Sequence, residues 1–225
     1  PPHRDGRMTS RVPMKLFNFF NSSASYRVRI ALSLKGLAYE YEGVNIRAGV
    51  QYNDDFLALN PAGQVPVLVD GPTRLSQSLA IIDHLDRVHP EPLLIPADGP
   101  ARGRVLEMAQ LIACDIHPLN NLIALQYLRR TLKHEQAEID AWYHHWVLQG
   151  FETLEATVQP GPQSGPYAFG NEVTLADICL VPQMYNARRL KVPLDRFPKL
   201  VAVDAACQKL PAFDRARPEN QPDAE

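Results

Sequence analysis

The run from Lys15 to Lys35 most constrains the fold, because it passes from an apolar strand into an amphipathic helix with two hydroxyls at the junction. Leu16, Phe17 and Phe19 lie on the strand side, and Val28, Ile30, Ala31, Leu32 and Leu34 recur at a helical period on the other. Ser22 and Ser23 therefore stand at a helix N-terminus, where the first backbone N–H groups lack intrahelical partners and the helix dipole is positive. An anion is favoured there, a thiolate among others, and a hydroxyl donates to it as well. A Ser-Ser pair is also an ordinary helix cap, so the residues downstream decide between the two.

Asn60-Pro61-Ala62-Gly63-Gln64-Val65-Pro66 leads into a second apolar strand, and Gln77-Ser78 opens a second helix whose Leu79, Ile81, Ile82 and Leu85 face a core. Pro66 at a strand entry frees its neighbour's backbone from the ladder and, if cis, offers it to a peptide-like ligand. The start of the second helix is another anion site, suited to a carboxylate where the first suits a thiolate.

Strands over 15–20 and 39–46, helices over 25–35, closed by Gly36, and over 54–59, a hairpin over 67–75 and a helix over 77–89 give the order βαβαββα in residues 14–89. Pro90, Pro92 and Pro96 interrupt regular structure and mark a linker at 90–100. Residues 101–225 read as all-helical, with long helices over 102–132 and 134–158, a third opened by a Thr174/Asp177 capping box with Val173 as its staple, a last helix over 198–209, and a polar, proline-rich tail. The first thirteen residues lack an apolar signal core and read as a disordered leader. A chain of 225 residues, 45% apolar, can fill the cores of two modest domains.

A net charge of −2, with no basic run interleaved with aromatics, argues against a nucleic-acid partner. No stretch approaches the roughly 20 apolar residues that span a bilayer. Cys114, Cys179 and Cys207 are odd in number and sit in apolar helical patterns, which predicts reduced core residues in a reducing, cytoplasmic setting. Adjacent His144 and His145 cannot share a metal from one helix, and His134-Glu135 lacks a second histidine one turn on, so no metal site is expected.

Ser22-Ser23-Ala24-Ser25-Tyr26-Arg27-Val28-Arg29-Ile30-Ala31-Leu32, then Leu59-Asn60-Pro61 with Gln64-Val65-Pro66, then Gln77-Ser78-Leu79-Ala80-Ile81-Ile82, together resemble the glutathione site of the glutathione transferases, zeta class. The resemblance continues through Asp115-Ile116-His117-Pro118-Leu119-Asn120-Asn121-Leu122, Thr174-Leu175-Ala176-Asp177 and Gln221-Pro222-Asp223, so it covers nearly the whole chain. It implies an α/β thioredoxin-like N-terminal domain and an all-α C-terminal domain, the glutathione transferase fold, in a homodimer. Zeta enzymes usually read Ser-Ser-Cys, often preceded by arginine; here Ala24 and Asn21 hold those places.

The activity implied is glutathione-dependent cis–trans isomerisation of maleylacetoacetate or maleylpyruvate in aromatic catabolism. Rotation about a conjugated double bond is blocked until a thiolate adds to one carbon, and free thiols are scarcely ionised near neutral pH, so the site must stabilise the anion. Ser23 is the first choice for that donor, with Ser22 the alternative. Carried over from the family, Gln51, Gln64, Val65, Gln77 and Ser78 bind glutathione. Asp115, His117 and Asn121 come from the helical domain, to a neighbouring subunit's site or to the cleft. Arg189 takes a carboxylate of a small dicarboxylate substrate, where a planar guanidinium can grip both oxygens. Leu122, where some maleylpyruvate-type enzymes carry arginine, favours maleylacetoacetate. A transferase of small α-halo acids and a catalytically idle binding protein are the alternatives.

Overall fold

The structure, a computed structural model, describes residues 13–161 and 163–225. The expected leader thus lies outside the described residues except for Pro13. Four strands, β1 (Met14–Asn18), β2 (Tyr39–Gly43), β3 (Val67–Asp70) and β4 (Thr73–Ser76), form one sheet in the order β2-β1-β3-β4. β1 runs parallel to β2, with Leu16 opposite Tyr41, and antiparallel to β3, with Leu16 opposite Leu68. Side chains alternate across a strand, so each face receives its own helices. Leu16 and Leu68 join the core with Val28, Ile30, Ala31 and Leu32 of α1 (Ser23–Leu34) and Ile81, Ile82 and Leu85 of α3 (Ser78–Val88). Phe17 and Val67 face the other way, onto Phe56 and Leu59 of α2 (Asp54–Leu59). The order βαβαββα is as expected, although β2 ends at Gly43 and a single 3-10 turn, Val50–Tyr52, precedes α2.

The helical region departs from the single long helix expected over 102–132. It divides into α4 (Gly99–Gln110), a widened π segment (Leu111–Ile116), α5 (His117–Asn120) and α6 (Leu122–Arg130). Pro118 has no N–H to give a preceding carbonyl, and Asn121 begins a new helix by accepting from Ala124 N at 3.0 Å. Beneath the π segment lies Gly150 of α7 (Gln136–Thr157); a Cβ there would stand 2.3 Å from Ile116 Cδ1, so only glycine allows this approach. α8 (Leu175–Arg189) carries the expected capping box, and Asp177 also accepts from Ala168 N at 2.8 Å, tying the preceding loop to the helix.

α9 (Pro198–Cys207) is followed by a helix the sequence pattern did not suggest, α10 (Pro211–Ala216), which packs on α1. The expected polar tail is therefore structured. Arg29, 1% exposed, donates from Nε to Ala216 O at 3.1 Å, from Nη1 to Asn18 Oδ1 at 3.0 Å and from Nη2 to Phe20 O at 2.8 Å. Phe20 N in turn donates to Asp223 Oδ2 at 3.2 Å, and the Tyr41 hydroxyl donates to the other oxygen of the same carboxylate. The loop before α1 is thus held from β1, from α1 and from the last residues of the chain.

Candidate active site

A cavity of about 760 Å³ opens between the start of α1, the 46–52 loop, the 60–66 loop and the start of α3 on one side, and α5, α6, α7 and the end of α8 on the other. The two serines that open α1 have different surroundings. Ser22 Oγ accepts from Ser25 N at 3.2 Å and is the N-cap. Ser23 is buried in the first helical turn, with Oγ 3.1 Å from His117 Nδ1. His117 is half-buried at the cavity wall with its ring deep among protein atoms. Burial, and secondarily the charge of Arg27, push its pKa down to about 3, so the imidazole is neutral at physiological pH.

Around this pair lie polar atoms that the protein leaves unsatisfied. Arg27, 1% exposed, donates from Nη1 to Ser78 Oγ at 3.2 Å, while its Nε and Nη2 have no partner among the described residues. Gln51 spends its amide nitrogen on Ile46 O at 3.2 Å and leaves Oε1 unpaired; Asn21 Oδ1 and both polar atoms of Asn120 are unpaired as well. All four residues line the cavity. Buried polar groups are ordinarily paired, so this clustering fits an elongated polar ligand with carboxylates and amides, as glutathione is.

The backbone is also shaped for such a ligand. The Val65–Pro66 bond is cis. Val65 stays out of the ladder, which begins at Val67, and Asn60 Nδ2 holds the loop by donating to Gln64 O at 2.8 Å. Gln77 has φ 73° and ψ 115°, a conformation that non-glycine residues rarely adopt and that clusters at ligand clamps.

Ser22, Ser23, Gln51, Gln64, Val65, Gln77, Ser78, His117, Asn121 and Arg189 all line this one cavity. Asp115 does not: it is exposed on the π segment, away from the lining. The two adjacent arginines diverge. Arg188 Nη1 donates to Asp204 Oδ2 at 2.6 Å, whereas Arg189 reaches the cavity, where its Nη2 donates to Asn186 Oδ1 at 3.3 Å. Cys114, expected in the core, is instead exposed and lines the cavity; Cys179 and Cys207 are buried.

Sequence reasoning also passed over Arg27, Arg47, Arg129 and Asn120, which line the cavity as well. Arg27 carried a signal, a charge inside an otherwise apolar helical repeat. Arg47 lies over the rings of Phe19 and Phe20, at 5.5 and 5.3 Å, and pairs with Glu225 at 2.6 Å. Four arginines against one carboxylate, Asp140, make the lining electropositive. Among the described residues no group of three or more His, Cys, Asp or Glu side chains could hold a metal, and no helix is long and apolar enough to cross a membrane.

The family model for the glutathione S-transferase N-terminal domain matches residues 12–87. Maleylpyruvate isomerase of a Ralstonia species is 48% identical over 211 residues, which cover 94% of this chain and 100% of that protein. A holo structure of maleylpyruvate isomerase, a bacterial glutathione S-transferase in zeta class, is 47% identical and superposes with a TM-score of 0.91 over 94% of this chain and 100% of that one. A maleylacetoacetate isomerase of Anaeromyxobacter dehalogenans, with dicarboxyethyl glutathione and citrate in its active site, is 38% identical with a TM-score of 0.83, covering 97% and 96% of the two chains.

Proposed function

The chain belongs to the zeta class of glutathione transferases, as a glutathione-dependent isomerase of the maleylacetoacetate and maleylpyruvate type, and from that premise we propose that its substrate is maleylacetoacetate and that Ser23 and Arg189 carry the two halves of the chemistry. Bound glutathione supplies the thiolate whose reversible addition lowers the order of the substrate's double bond. The observation that supports the division of labour is the placement of a capping Ser22 beside a Ser23 that faces His117 in the cavity, with Arg189 entering the same cavity from α8.

Ser23 Oγ–H and the free N–H groups at the start of α1 stabilise negative charge on sulfur. Val65, Gln64 and Gln51 hold the peptide middle of glutathione, and Gln77 and Ser78, at the start of α3, hold its carboxylate end. Arg189 holds a substrate carboxylate and orients the double bond toward the sulfur. The apolar parts of the wall, among them Leu79, Leu122 and Leu190, keep water from the reacting atoms.

Leu122, on the cavity wall where the family resemblance places an arginine in some maleylpyruvate-type enzymes, supports maleylacetoacetate over maleylpyruvate. The wider reading includes a homodimer, supported by the exposed Tyr52 on one side of the cavity and the exposed Ile123 and Tyr127 on α6. The free cysteines fit a reducing compartment such as the cytoplasm.

The direct test follows the loss of each cis substrate with and without glutathione. Glutathione-dependent turnover with a higher kcat/KM for maleylacetoacetate is expected. Preference for maleylpyruvate would overturn the substrate assignment, and glutathione binding in calorimetry without turnover of either would leave a binding protein.

A further inference from the structure

Ser23 Oγ and His117 Nδ1 stand 3.1 Å apart, and one proton lies between them. Two arrangements are possible: the serine donates to the imidazole, or the imidazole donates to the serine. In the first, the serine's only proton is committed to His117, and Oγ presents lone pairs to the thiolate. In the second, Oγ accepts from Nδ1–H and its own proton is free to point at the sulfur.

We propose that His117 is a positioning residue that donates from Nδ1–H to Ser23 Oγ and thereby turns the serine hydroxyl into an obligate donor to the glutathione thiolate. The inference rests on the reading of Ser23 above.

Three features of the structure support this polarity. Among the described residues Ser23 Oγ has no other hydrogen-bond partner, so none of them competes with His117 for its orientation. Ser22 Oγ, which accepts from Ser25 N, shows the same arrangement at the neighbouring residue: an N–H fills a lone pair and leaves the hydroxyl proton free. The charged group that acts on the ring is the Arg27 guanidinium of α1, which in turn feels the thiols of Cys114 and Cys179. Burial of the ring, and secondarily Arg27, disfavour a second proton on the imidazole, so the ring keeps one N–H and one lone pair. A bound thiolate attracts proton donors, and the chain Nδ1–H to Oγ, then Oγ–H to sulfur, is the order that places a donor on the anion. His117 need not touch glutathione at all for this, which distinguishes the role from that of a contact residue.

The test is the thiolate absorbance of bound glutathione as a function of pH, a readout independent of turnover. His117→Leu should raise the bound thiol's pKa by about one unit, the scale of one lost charge-assisted hydrogen bond, with glutathione affinity below the bound pKa, where the thiol is neutral, changed less than about twofold and affinity for the thiolate form weakened about tenfold. His117→Asn, whose amide nitrogen can take the Nδ1 place, should restore most of the shift. In a Ser23→Ala background, His117→Leu should produce no further shift, because its effect passes through the serine.

An unchanged titration in His117→Leu overturns the proposal. So does an additive shift in the double variant, or a loss of glutathione affinity equal in Leu and Asn, which would make His117 a direct contact. If His117→Leu does not fold, His117→Gln, which carries its amide away from Nδ1, takes its place in the same comparison. A wild-type protein that binds no glutathione would sink the functional reading instead, so the two failures are separable.

Discussion

Arg188 and Asp204 form a 2.6 Å ion pair that removes Arg188 from the cavity and leaves its neighbour Arg189 as the arginine of α8 that lines it. Asp204 is 2% exposed, and burial pushes its pKa upward against the pull of Arg188. Arg188→Ala should therefore act on stability, by roughly 1–3 kcal/mol given that Arg188 itself is half-exposed, with KM values little changed. Arg189→Ala should raise KM for the dicarboxylate far more than for glutathione, and lysine should rescue it incompletely because it offers a point charge in place of a fork. Chemical denaturation and steady-state kinetics on the pair of variants check both halves.

The two serines should separate in the same manner. Ser22→Ala removes a helix cap and should cost about 1 kcal/mol of stability with a modest loss of activity. Ser23→Ala should leave stability nearly unchanged and lower turnover by roughly ten- to a thousandfold, the scale of one positioned donor to developing charge. The reverse pattern would transfer the thiolate donor to Ser22.

Acid should weaken the fold through His117. Its pKa falls from an ordinary 6.5 to about 3 in the folded chain, so the unfolded chain binds a proton that the native one refuses. The contribution is fully present above pH 6.5 and is lost as pH falls from there toward 3. At pH 5 this single group should account for about 2 kcal/mol of lost stability relative to neutral pH. His117→Asn should flatten that part of the profile, as read from urea midpoints at pH 7 and pH 5.

Ala24 leaves the α1 N-terminus without a thiol, yet Cys114 supplies one elsewhere on the cavity wall. Iodoacetamide should label Cys114 in the native protein, spare buried Cys179 and Cys207, and be slowed by bound glutathione. Ala24→Cys should add a second, faster-reacting thiol, because a helix N-terminus favours the thiolate, without a large gain in isomerisation. Activation from no activity by that change would mean that the cysteine was needed after all.

The strands, α1 to α3 and the Thr174–Asp177 box were legible because each rests on local signals: alternation, a cap, a turn residue. In the first half of the chain, Ser22, Ser23, Val65 and Ser78 sit at element boundaries that the pattern marks, but their place in a site, and Gln51 and Gln64 altogether, came from the family resemblance. The break of the 102–132 region was not, because its apolar repeat continues through the π segment; Pro118 and the Asn120-Asn121 pair were the available clues. Arg27 and Arg29 look alike in sequence. Only the tertiary fold shows that Arg29 is saturated by Asn18, Phe20 and Ala216 whereas Arg27 keeps two free nitrogens at the cavity. Asp115 belongs to the same class of ambiguity, a polar residue beside His117 that the wider π turn carries outward.

The strapping of Phe20 by Asp223, and of Arg29 by Ala216, ties residues about two hundred positions apart. Protein synthesis delivers domains from the N-terminus onward. The sheet and its helices can therefore gather while the helical half is still being made, but the loop that presents Ser22 and Ser23 lacks its final support until residues 216–223 have left the ribosome. The pocket wall around Ser22 and Ser23 would thus take its final shape only after about two hundred further residues had been added.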